Sequence, residues 1–362
     1  MKVIHIVESF SAGSFSFISE FTKHTPDIEH IIIHGYREDT PSNFVEFFPK
    51  STEFYPWKYS VREIRPIKDF MALIYLLKII FKQNNIDIIH LHSSKAGFLG
   101  RCASRLLGLH KKVLYTPHAA SFLRKDVSKS KQILFKLIET LGSYLGGQIV
   151  ACSKSEQIEF SKIGIEAEVI ENGVNIPSMV FKPYNQLKII IGTMGRISSQ
   201  KNPFDFNLIA SSFTNNPYLY FRWIGDGDLR NSLTSSNIEV TGWLDKSEAT
   251  QEMLALDLYL STSKWEGLPL SVLEAMAYGK PLLLKRCVGN IDLVVEGTNG
   301  YLFDDVCEAI DLIFKMINDS EMLYMFSKKS RFIAENNFSI MKMVSKYISI
   351  YNIIISDYKD CI

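Results

Sequence analysis

Short runs of β-branched and aliphatic residues alternate with segments of helical periodicity along almost the whole chain. This alternation predicts βαβ units and a parallel sheet, because parallel strands need a crossover connection, which is usually a helix. The strands predicted in the first half are Val3 to Val7, His30 to Ile33, Ile86 to Leu91, Lys112 to Tyr115, Gln148 to Ala151 and Glu168 to Ile170. Those predicted in the second half are Leu187 to Gly192, Tyr218 to Trp223, Ile238 to Thr241, Leu256 to Leu260 and Pro281 to Leu284.

Segments with apolar residues at every third or fourth position lie between and after these strands. The helices predicted in the first half are Phe15 to Lys23, Ile67 to Gln83, Ala96 to Leu107, Lys131 to Leu145 and Ser155 to Lys162. Those in the second half are Phe204 to Phe213, Asp228 to Leu233, Ser247 to Ala255, Ser271 to Tyr278, Asp305 to Ile317, Ser320 to Glu335 and Met341 to Tyr358. A capping box formed by Ser153 and Glu156 is expected to begin the last helix of the first half.

The length of the chain predicts two domains, since 362 residues are many for a single core. Asn175 to Gln186 has the composition of a linker, with two prolines among polar residues. We therefore predict a first Rossmann-like domain over residues 1–174, a second over residues 175–340, and a separate final helix over residues 341–362.

Composition and charge exclude several classes of protein. A net charge of +1 with 22% charged and 46% hydrophobic residues is ordinary for a globular protein and indicates no nucleic-acid partner. The longest apolar stretch, Phe70 to Phe81, is shorter than the roughly 18 to 20 residues that span a bilayer, and we predict a buried helix there. The five cysteines are scattered, and no signal-peptide pattern follows Met1. These features predict a cytoplasmic location.

Two glutamates, Glu266 and Glu274, flank the segment with the clearest functional pattern. Gly267, Leu268 and Pro269 stand between them, and a proline suits the first turn of a helix because its missing N–H would be unpaired there. A buried strand, a loop and a helix in this order place free N–H groups and a positive dipole end where they can bind a diphosphate. The carboxylates can accept hydrogen bonds from sugar and ribose hydroxyls. We interpret the segment as a nucleotide-sugar site.

Two cations follow the first predicted strand of the second domain. Arg196 and Lys201 would point from the carboxyl end of the sheet. They could stabilise the negative charge that develops on a leaving diphosphate without a metal ion. We therefore expect neither a metal nor a cofactor, and a nucleotide-sugar as co-substrate.

Gly225, Asp226 and Gly227 follow the next predicted strand, with Asp228 after them. The Asp-x-Asp pattern can bind a metal ion, but two carboxylates are a thin oxygen set for Mg²⁺ unless phosphates complete it. We interpret the segment as a glycine turn that lets the backbone approach the nucleotide closely.

These motifs resemble the E-x7-E signature and accompanying motifs of the GT4 family of retaining glycosyltransferases. The matches stand in the family's order and cover nearly the whole chain. They are Thr116-Pro117-His118, Glu171-Asn172-Gly173-Val174, Gly195-Arg196 with Lys201, Gly225-Asp226-Gly227, Glu266 to Glu274 and Asn299-Gly300. The resemblance implies the GT-B fold, with two Rossmann-like domains facing a central cleft and a final helix that crosses back to the first domain.

The resemblance also implies a role for each main site residue. Arg196 and Lys201 would bind the diphosphate, Glu274 the ribose and Glu266 the sugar. His118 would lie near the reacting centre, on the loop that contacts the donor sugar in this family. Retention of the anomeric configuration is implied in the same way.

Two positions depart from the family pattern. Ala119 stands where glycine is common, and only Gly13 remains of a usual glycine pair near the phosphates and the acceptor. His90, His92 and Lys95 also stand near a strand end and are secondary candidates for the acceptor side, with structural roles as an equal alternative.

The resemblance extends to bacterial surface-polysaccharide transferases through residues 95–101 and 116–122. It implies transfer from a nucleoside-diphosphate sugar, with a UDP-sugar favoured, to a hydroxyl of a lipid-linked glycan. The segment Lys111 to Lys136 carries basic residues with Asp126 as its one acidic residue, and Phe122, Leu123 and other apolar residues are interleaved. This pattern suits the inner face of an anionic membrane, and a solvated helix face is the simpler alternative.

Two other functions remain open from the sequence. A sugar-nucleotide epimerase of the same fold would convert the donor without an acceptor. A non-catalytic subunit would bind the sugar nucleotide and support a partner enzyme, although the complete set of Arg196, Lys201, Glu266 and Glu274 argues against it.

Overall fold

The computed structural model describes residues 1–37, 39–178 and 188–359. The chain forms two compact units, one made of Met1–Asn172 with Ile340–Ile362 and the other of Gly173–Ser339. The sequence places the corresponding boundaries at residues 174 and 340. Most of the predicted linker, residues 179–186, lies outside the described residues, as does Leu187 at the start of a predicted strand.

The first unit contains a parallel sheet of seven strands. The strands are β1 (Lys2–Val7), β2 (Glu29–His34), β3 (Glu53–Pro56), β4 (Ile88–His92), β5 (Val113–Thr116), β6 (Gln148–Ala151) and β7 (Glu168–Val169). The helices are α1 (Ala12–Lys23), α2 (Pro66–Phe81), α3 (Ser94–Leu106), α4 (Lys129–Ser143) and α5 (Lys154–Ser161). The strand order is β3-β2-β1-β4-β5-β6-β7, so the direction of winding reverses between β1 and β4.

The second unit contains a parallel sheet of six strands. The strands are β8 (Ile189–Met194), β9 (Leu219–Ile224), β10 (Ile238–Val240), β11 (Leu258–Ser261), β12 (Leu282–Lys285) and β13 (Gly300–Phe303). The helices are α6 (Pro203–Ser211), α7 (Lys246–Ala255), α8 (Leu270–Ala277), α9 (Val306–Ile317) and α10 (Ser320–Asn337). The strand order is β10-β9-β8-β11-β12-β13, and the winding reverses between β8 and β11.

The last helix, α11 (Ile340–Lys359), belongs to the first unit. Its residues Val344, Tyr347 and Tyr351 are buried in the same apolar cluster as Phe17 and Phe21 of α1. The predicted fold of two parallel α/β domains, with a final helix packed on the first, is confirmed.

Local sequence explains where many helices begin. Asp245 and Glu248 form a reciprocal capping box at the start of α7. Asp305 and Asp319 each accept a hydrogen bond from a backbone N–H in the first turn of α9 and α10. Pro203 occupies the first position of α6, where its missing N–H is not needed.

The helix predicted from Asp228 to Leu233 is wrong. This segment forms a single 3-10 turn at Arg230–Ser232. The backbone N–H of Leu229 donates to the carbonyl of Ile197, 3.3 Å away, so the segment is bonded to the neighbouring loop from its first residues.

Two strands were not predicted. β3 lies at the edge of its sheet and ends in Pro56, which the sequence pattern disfavours as a strand residue. β13 begins at Gly300, and a Cβ on this residue would lie 2.0 Å from the carbonyl oxygen of Leu282 in the neighbouring strand. Short strands that contain proline or glycine have a weak sequence pattern. Whether they form depends on pairing with the neighbouring strand of the sheet.

The prediction of a buried helix over Phe70 to Phe81 is wrong for one face of α2. Ala72, Leu76, Ile79 and Ile80 are buried, whereas Phe70 is 63% exposed. Among the described residues, no helix has the length and apolar character needed to cross a membrane.

Candidate active site

The carboxyl ends of β8 and β11 bring together two loops that carry half of the predicted site residues, among them Arg196, Lys201 and Glu266. Residues 195–202 follow β8, and residues 262–269 follow β11. These strands are neighbours at the point where the winding reverses. Ligands of open parallel sheets bind outside the carboxyl ends of the strands at this point, because the two loops diverge there and leave a crevice.

Lys201 and Glu266, one from each loop, form a direct ion pair. The ammonium nitrogen of Lys201 lies 2.9 Å from a carboxylate oxygen of Glu266, and both side chains are largely buried. Burial is the largest single influence and would lower the pKa of Lys201, but the Glu266 carboxylate, together with Tyr259 and Cys287, more than offsets it, and the pKa is raised. Two residues predicted to bind different parts of one ligand therefore hold each other in place, and Lys201 stays cationic.

Gln200 completes the support of Glu266. Its side-chain amide donates to the second carboxylate oxygen of Glu266 at 3.1 Å and to the carbonyl of Trp265 at 3.0 Å. The hydroxyl of Thr262 lies 2.8 Å from the carbonyl of Lys201, to which it donates. Sequence reasoning missed Gln200 and Thr262, although Gln200 lies inside the segment that carries Arg196 and Lys201. An uncharged residue in a loop gave no signal of its own.

The glycine turn has a packing role inside the second unit, and its approach to the nucleotide stays a prediction. A Cβ on Gly225 would lie 2.5 Å from the carbonyl oxygen of Gly195, and a Cβ on Gly227 would lie 2.4 Å from that of Ile197. The two glycines are therefore required because the loops after β8 and β9 pack backbone to backbone. Arg196 is half-buried in the loop they support.

Asp226 has partners within its own turn. One carboxylate oxygen accepts the backbone N–H of Gly227 at 2.8 Å, and the other lies 2.5 Å from the guanidinium of Arg230. Its carboxylate is therefore used to shape the turn, which is consistent with the glycine-turn interpretation.

The segment from Glu266 to Glu274 folds as predicted at its helix. Pro269 precedes α8, and its carbonyl accepts the N–H groups of Val272 and Leu273 at 3.1 Å. The helix ends before Gly279, which has the left-handed φ of +63° expected there. Glu274 is half-buried in the second turn.

The loop after β12 lies against Gly267. A Cβ on Gly289 would come within 2.6 Å of the Gly267 carbonyl oxygen, and Leu268 beside it is buried. In the same loop, burial first and the Glu266 carboxylate second raise the pKa of Cys287 to about 12. The thiol therefore stays protonated and inert.

In the first unit, His118 lies on the loop after β5 in a strained backbone conformation. His118 and Ala119 have φ values of +52° and +75°, in the left-handed region that side chains disfavour. Positive φ values also occur at Ala12, +46°, and at Ser93, +78°, after β1 and β4. Strained residues after three neighbouring strands are typical of functional loops. The left-handed φ of Ala119 also explains why glycine is common there in the family.

Glu156 holds this strained turn. Its carboxylate accepts the backbone N–H groups of Ala119 at 3.1 Å, Ala120 at 2.9 Å and Cys152 at 2.8 Å. The predicted capping box is therefore only half formed: Ser153 accepts the N–H of Glu156, while the Glu156 side chain serves other residues. Burial raises the pKa of Glu156, and the three N–H groups oppose that rise.

The secondary candidates have structural partners. His90 and His92 are fully buried, which favours their structural role. Lys95 lies 2.7 Å from Asp69 in an ion pair. Gly13 is exposed in the first turn of α1, and a Cβ there would meet nothing within 4 Å. The fold of the described chain therefore gives no steric reason for a glycine at position 13.

Family models and relatives agree on one kind of enzyme. The model described as Glycosyltransferase Family 4 matches residues 28–177, and the model described as Glycosyl transferases group 1 matches residues 178–332. The UDP-Gal:alpha-D-GlcNAc-diphosphoundecaprenol alpha-1,3-galactosyltransferase of Escherichia coli is 30% identical over 325 residues, which are 80% of this chain and 81% of that protein. The O-antigen biosynthesis glycosyltransferase WbnH of Escherichia coli is 31% identical over 259 residues, 69% of this chain and 74% of the relative.

Solved structures agree on the fold. Anabaena HepE, in a crystal structure with UDP and glucose, has a TM-score of 0.78 at 17% identity, over 97% of this chain and 99% of that one. The fold and the strand-end cluster define a glycosyltransferase of the GT-B class. The chain belongs to the family 4 glycosyltransferases, as its motifs predicted.

Proposed function

We propose that this enzyme transfers a sugar from a UDP-sugar, with retention, to a hydroxyl of a lipid-linked glycan in surface-polysaccharide synthesis. The observation that carries the proposal is the cluster at the carboxyl ends of β8 and β11, where Lys201 and Glu266 are 2.9 Å apart. The relative from Escherichia coli named above, whose own name gives a UDP-sugar donor and a diphosphoundecaprenol acceptor, supports the choice of substrates.

In the proposed donor complex, Arg196 and Lys201 bind the diphosphate, Glu274 the ribose and Glu266 the sugar. The charge that develops on the leaving phosphate is stabilised by two fixed cations that need no reorganisation. Because the Glu266 carboxylate holds Lys201 in its cationic state, the ammonium is available at neutral pH. The reaction is proposed to need no metal ion, since these cations supply the positive charge.

The acceptor is proposed to bind the first unit. A cavity of about 460 Å³ lies there, and Lys95, Phe98, Arg124, Phe135 and Ile138 are among its lining residues. Its cations stand beside carboxylates, such as Asp69 against Lys95, and most of the remaining wall is apolar. Such a cavity suits an amphiphilic molecule with both a polar and an apolar part.

Two exposed helix faces support docking of the first unit on an anionic membrane. On α2, Ile67 is 79% and Phe70 63% exposed, and on α4, Leu137 is 56% and Leu141 59% exposed. Both helices also carry lysines, which would face anionic headgroups. Phe122 and Leu123, which the sequence pattern assigned to this surface, are buried instead.

The donor is tested by thermal-shift binding of UDP-, GDP- and ADP-sugars with and without EDTA. We expect a selective response to UDP-sugars that EDTA leaves unchanged and that Glu274→Ala abolishes. Glu321→Ala, which removes an exposed helical carboxylate on α10, is the matched control and is expected to bind normally. No shift in melting temperature with any of these nucleotide-sugars would contradict the donor assignment.

The reaction is tested with a GlcNAc-diphospholipid acceptor and NMR of the product. We expect a new glycosidic bond with the donor's anomeric configuration. An altered sugar nucleotide formed without acceptor identifies an epimerase, and donor binding without turnover identifies the non-catalytic subunit.

Membrane docking is tested by sedimentation with phosphatidylglycerol and phosphatidylcholine vesicles. We expect binding to the anionic vesicles alone, and weaker binding by Phe70→Ser and Leu137→Ser. Phe332→Ser, on an equally exposed helix position of the second unit, should bind like the unaltered enzyme. Equal loss in all three variants would contradict docking through α2 and α4.

A further inference from the structure

Four histidine side chains form a continuous hydrogen-bonded series inside the first unit. The ring nitrogens of His30 and His5 are 3.1 Å apart, those of His5 and His92 are 3.0 Å apart, and those of His92 and His118 are 3.0 Å apart. His5 and His92 are fully buried, and His30 is 2% exposed. The series therefore runs through the core and reaches the strained loop after β5.

One end of the series fixes the direction of its hydrogen bonds. The hydroxyl of Thr25 donates its single proton to the carbonyl of Phe21 at 2.8 Å. Its oxygen, 2.9 Å from Nε2 of His30, must therefore accept, and the Thr25 carbonyl, 3.3 Å from the same nitrogen, can only accept. Nε2 of His30 consequently carries the proton.

This assignment propagates along the series, because a neutral imidazole has one N–H and one lone pair. Nδ1 of His30 accepts from Nε2 of His5, and Nδ1 of His5 accepts from Nε2 of His92. Nδ1 of His92 then accepts from Nε2 of His118. All four rings are in the Nε2–H form.

The other end of the series is a thiol. Nδ1 of His118 lies 3.6 Å from the sulfur of Cys152 and accepts its proton. Burial first and then Glu156 raise the pKa of Cys152 well above its ordinary value, so the donor proton is retained. Burial lowers the pKa of His118 to about 3, so the ring is neutral at physiological pH. Both ring nitrogens of His118 are thus occupied by the protein.

A metal ion is a weaker explanation of the histidine cluster. His5, His90 and His92 offer nitrogens within 4.8 Å of one another. However, all their ring nitrogens have hydrogen-bond partners: His90 contacts the hydroxyls of Tyr351 at 2.7 Å and Thr116 at 2.9 Å, and the other two belong to the series. A cation would have to displace bonds that already satisfy every nitrogen.

We propose that His92 and Glu156 are positioning residues that hold His118 as a neutral Nε2–H imidazole on a fixed turn, so that the edge of its ring orients the substrate by packing contact and not as a general acid or base. His92 supplies the acceptor that selects the tautomer, and Glu156 binds the backbone of the turn. The role of His118 in orienting the substrate rests on the proposed glycosyl transfer. The assignment of its tautomer does not depend on that function.

The tautomer is tested on the unaltered protein by long-range ¹H–¹⁵N NMR of ¹⁵N-histidine-labelled enzyme at pH 7.5. We expect His118 to show a protonated Nε2 and an unprotonated Nδ1. His118→Gln assigns its signals, and His24, which lies outside the series, is an internal reference. A protonated Nδ1 or a charged His118 ring overturns the proposal whether or not the enzyme is active.

Variants test the positioning role. His92→Phe removes the acceptor, and we expect mixed His118 tautomers and a kcat about tenfold lower with KM unchanged. In His92→Asn the amide oxygen can stand in for Nδ1, and we expect the single tautomer and most of kcat to return. A kcat of His92→Phe equal to that of the unaltered enzyme overturns the proposal.

Glu156→Gln tests the backbone support. Its amide nitrogen would face one of the three N–H groups, and we expect kcat to fall while KM stays within about twofold. Glu159→Gln, at a half-buried position of the same helix where the side chain pairs with Lys162, is the matched control. If transfer activity is absent from the unaltered enzyme, the proposed function fails while the NMR result still decides the tautomer.

Discussion

The first six strands of each unit have the same order, and the first unit adds β7 at one edge, but the two units differ in which side chains they bury. All eight histidines of the chain lie in the first unit, and five of them form an imidazole cluster, with His5, His30, His90 and His92 buried and His118 half-buried. The main core of the second unit is an apolar cluster around Phe206, Phe221 and Trp223, and the Lys201–Glu266 ion pair lies at the ends of β8 and β11. The same topology can therefore hold either a series of imidazoles or an apolar cluster beside its central strands.

The largest expected difference is in acid stability. The buried histidines have folded pKa values below their ordinary value of 6.5, about 4 for His30 and about 3 for His118, chiefly because burial disfavours the charged ring. The unfolded chain therefore binds protons first, and stability is complete above pH 6.5 and lost as pH falls toward these values. Each such histidine costs on the order of 1–2 kcal/mol between pH 7 and 5.

We expect the first unit to unfold well before the second at pH 5, although both are folded at pH 7.5. Pulse proteolysis with peptide mapping over this range measures each unit separately. Unfolding of both units at the same pH would contradict the expected difference in acid stability. His30→Gln should bring the unfolding pH of the first unit closer to that of the second.

The second effect concerns the charged pair of the second unit. Lys201→Ala removes a cation from the proposed diphosphate site, and we expect kcat to fall by about 10²–10³-fold, as when one transition-state donor is removed. It also leaves Glu266 largely buried without its ionic partner, so urea unfolding of the second unit should show a lower midpoint.

Glu266→Gln and the double variant complete this comparison. In a double-mutant cycle we expect the two stability losses to be less than additive, because each single change leaves one charge unpaired. Strict additivity would show that the ion pair has no energetic coupling.

A smaller effect is expected at the glycine turn. Gly227→Ala places a Cβ within 2.4 Å of the Ile197 carbonyl, and we expect a loss of about 1–3 kcal/mol in the stability of the second unit. Gly297→Ala meets nothing within 4 Å and lies at a φ of +69°, where Gly227 has +159°, so its loss measures the conformational cost of a left-handed position alone. Urea titration of the two variants therefore separates the contact from the conformational cost, and equal losses would exclude the contact.

The smallest effect on stability is expected at Gly13. Its Cβ would meet open space, and alanine favours a helix, so Gly13→Ala should leave the melting temperature unchanged or slightly higher. A reduced affinity for acceptor or donor with unchanged melting would support the predicted ligand role. Unchanged affinity would show that the glycine is dispensable.

Most of the fold was predictable because its signals are local. The buried runs of β1 and β8 and the capping residues of α7 and α9 lie within a few positions of the elements they specify. β13 and the turn at Arg230–Ser232 were not predictable, because their conformation depends on contacts with a neighbouring strand and a neighbouring loop.

The residues of the candidate site also fall into those with a local sequence signal and those without one. Arg196, Lys201, Glu266 and Glu274 were named as candidates because charged residues near glycine and proline form a compact pattern. Gln200 and Glu156 were missed as site residues, since their partners are distant in sequence: Gln200 contacts Glu266, and Glu156 contacts Ala119 and Ala120.

The sequence by itself determined the family, the two parallel α/β domains and the residues proposed to bind the donor, because periodicity and short motifs are written in adjacent positions. Only the tertiary structure decided that Lys201 and Glu266 form a pair, that Gly225 and Gly227 serve loop packing, and that four histidines share one series of hydrogen bonds. The direction of those bonds depends on a single hydroxyl, that of Thr25, whose proton is directed to the carbonyl of Phe21. Hydrogen-bond direction is a property of the whole connected series, and no one segment of the chain contains it.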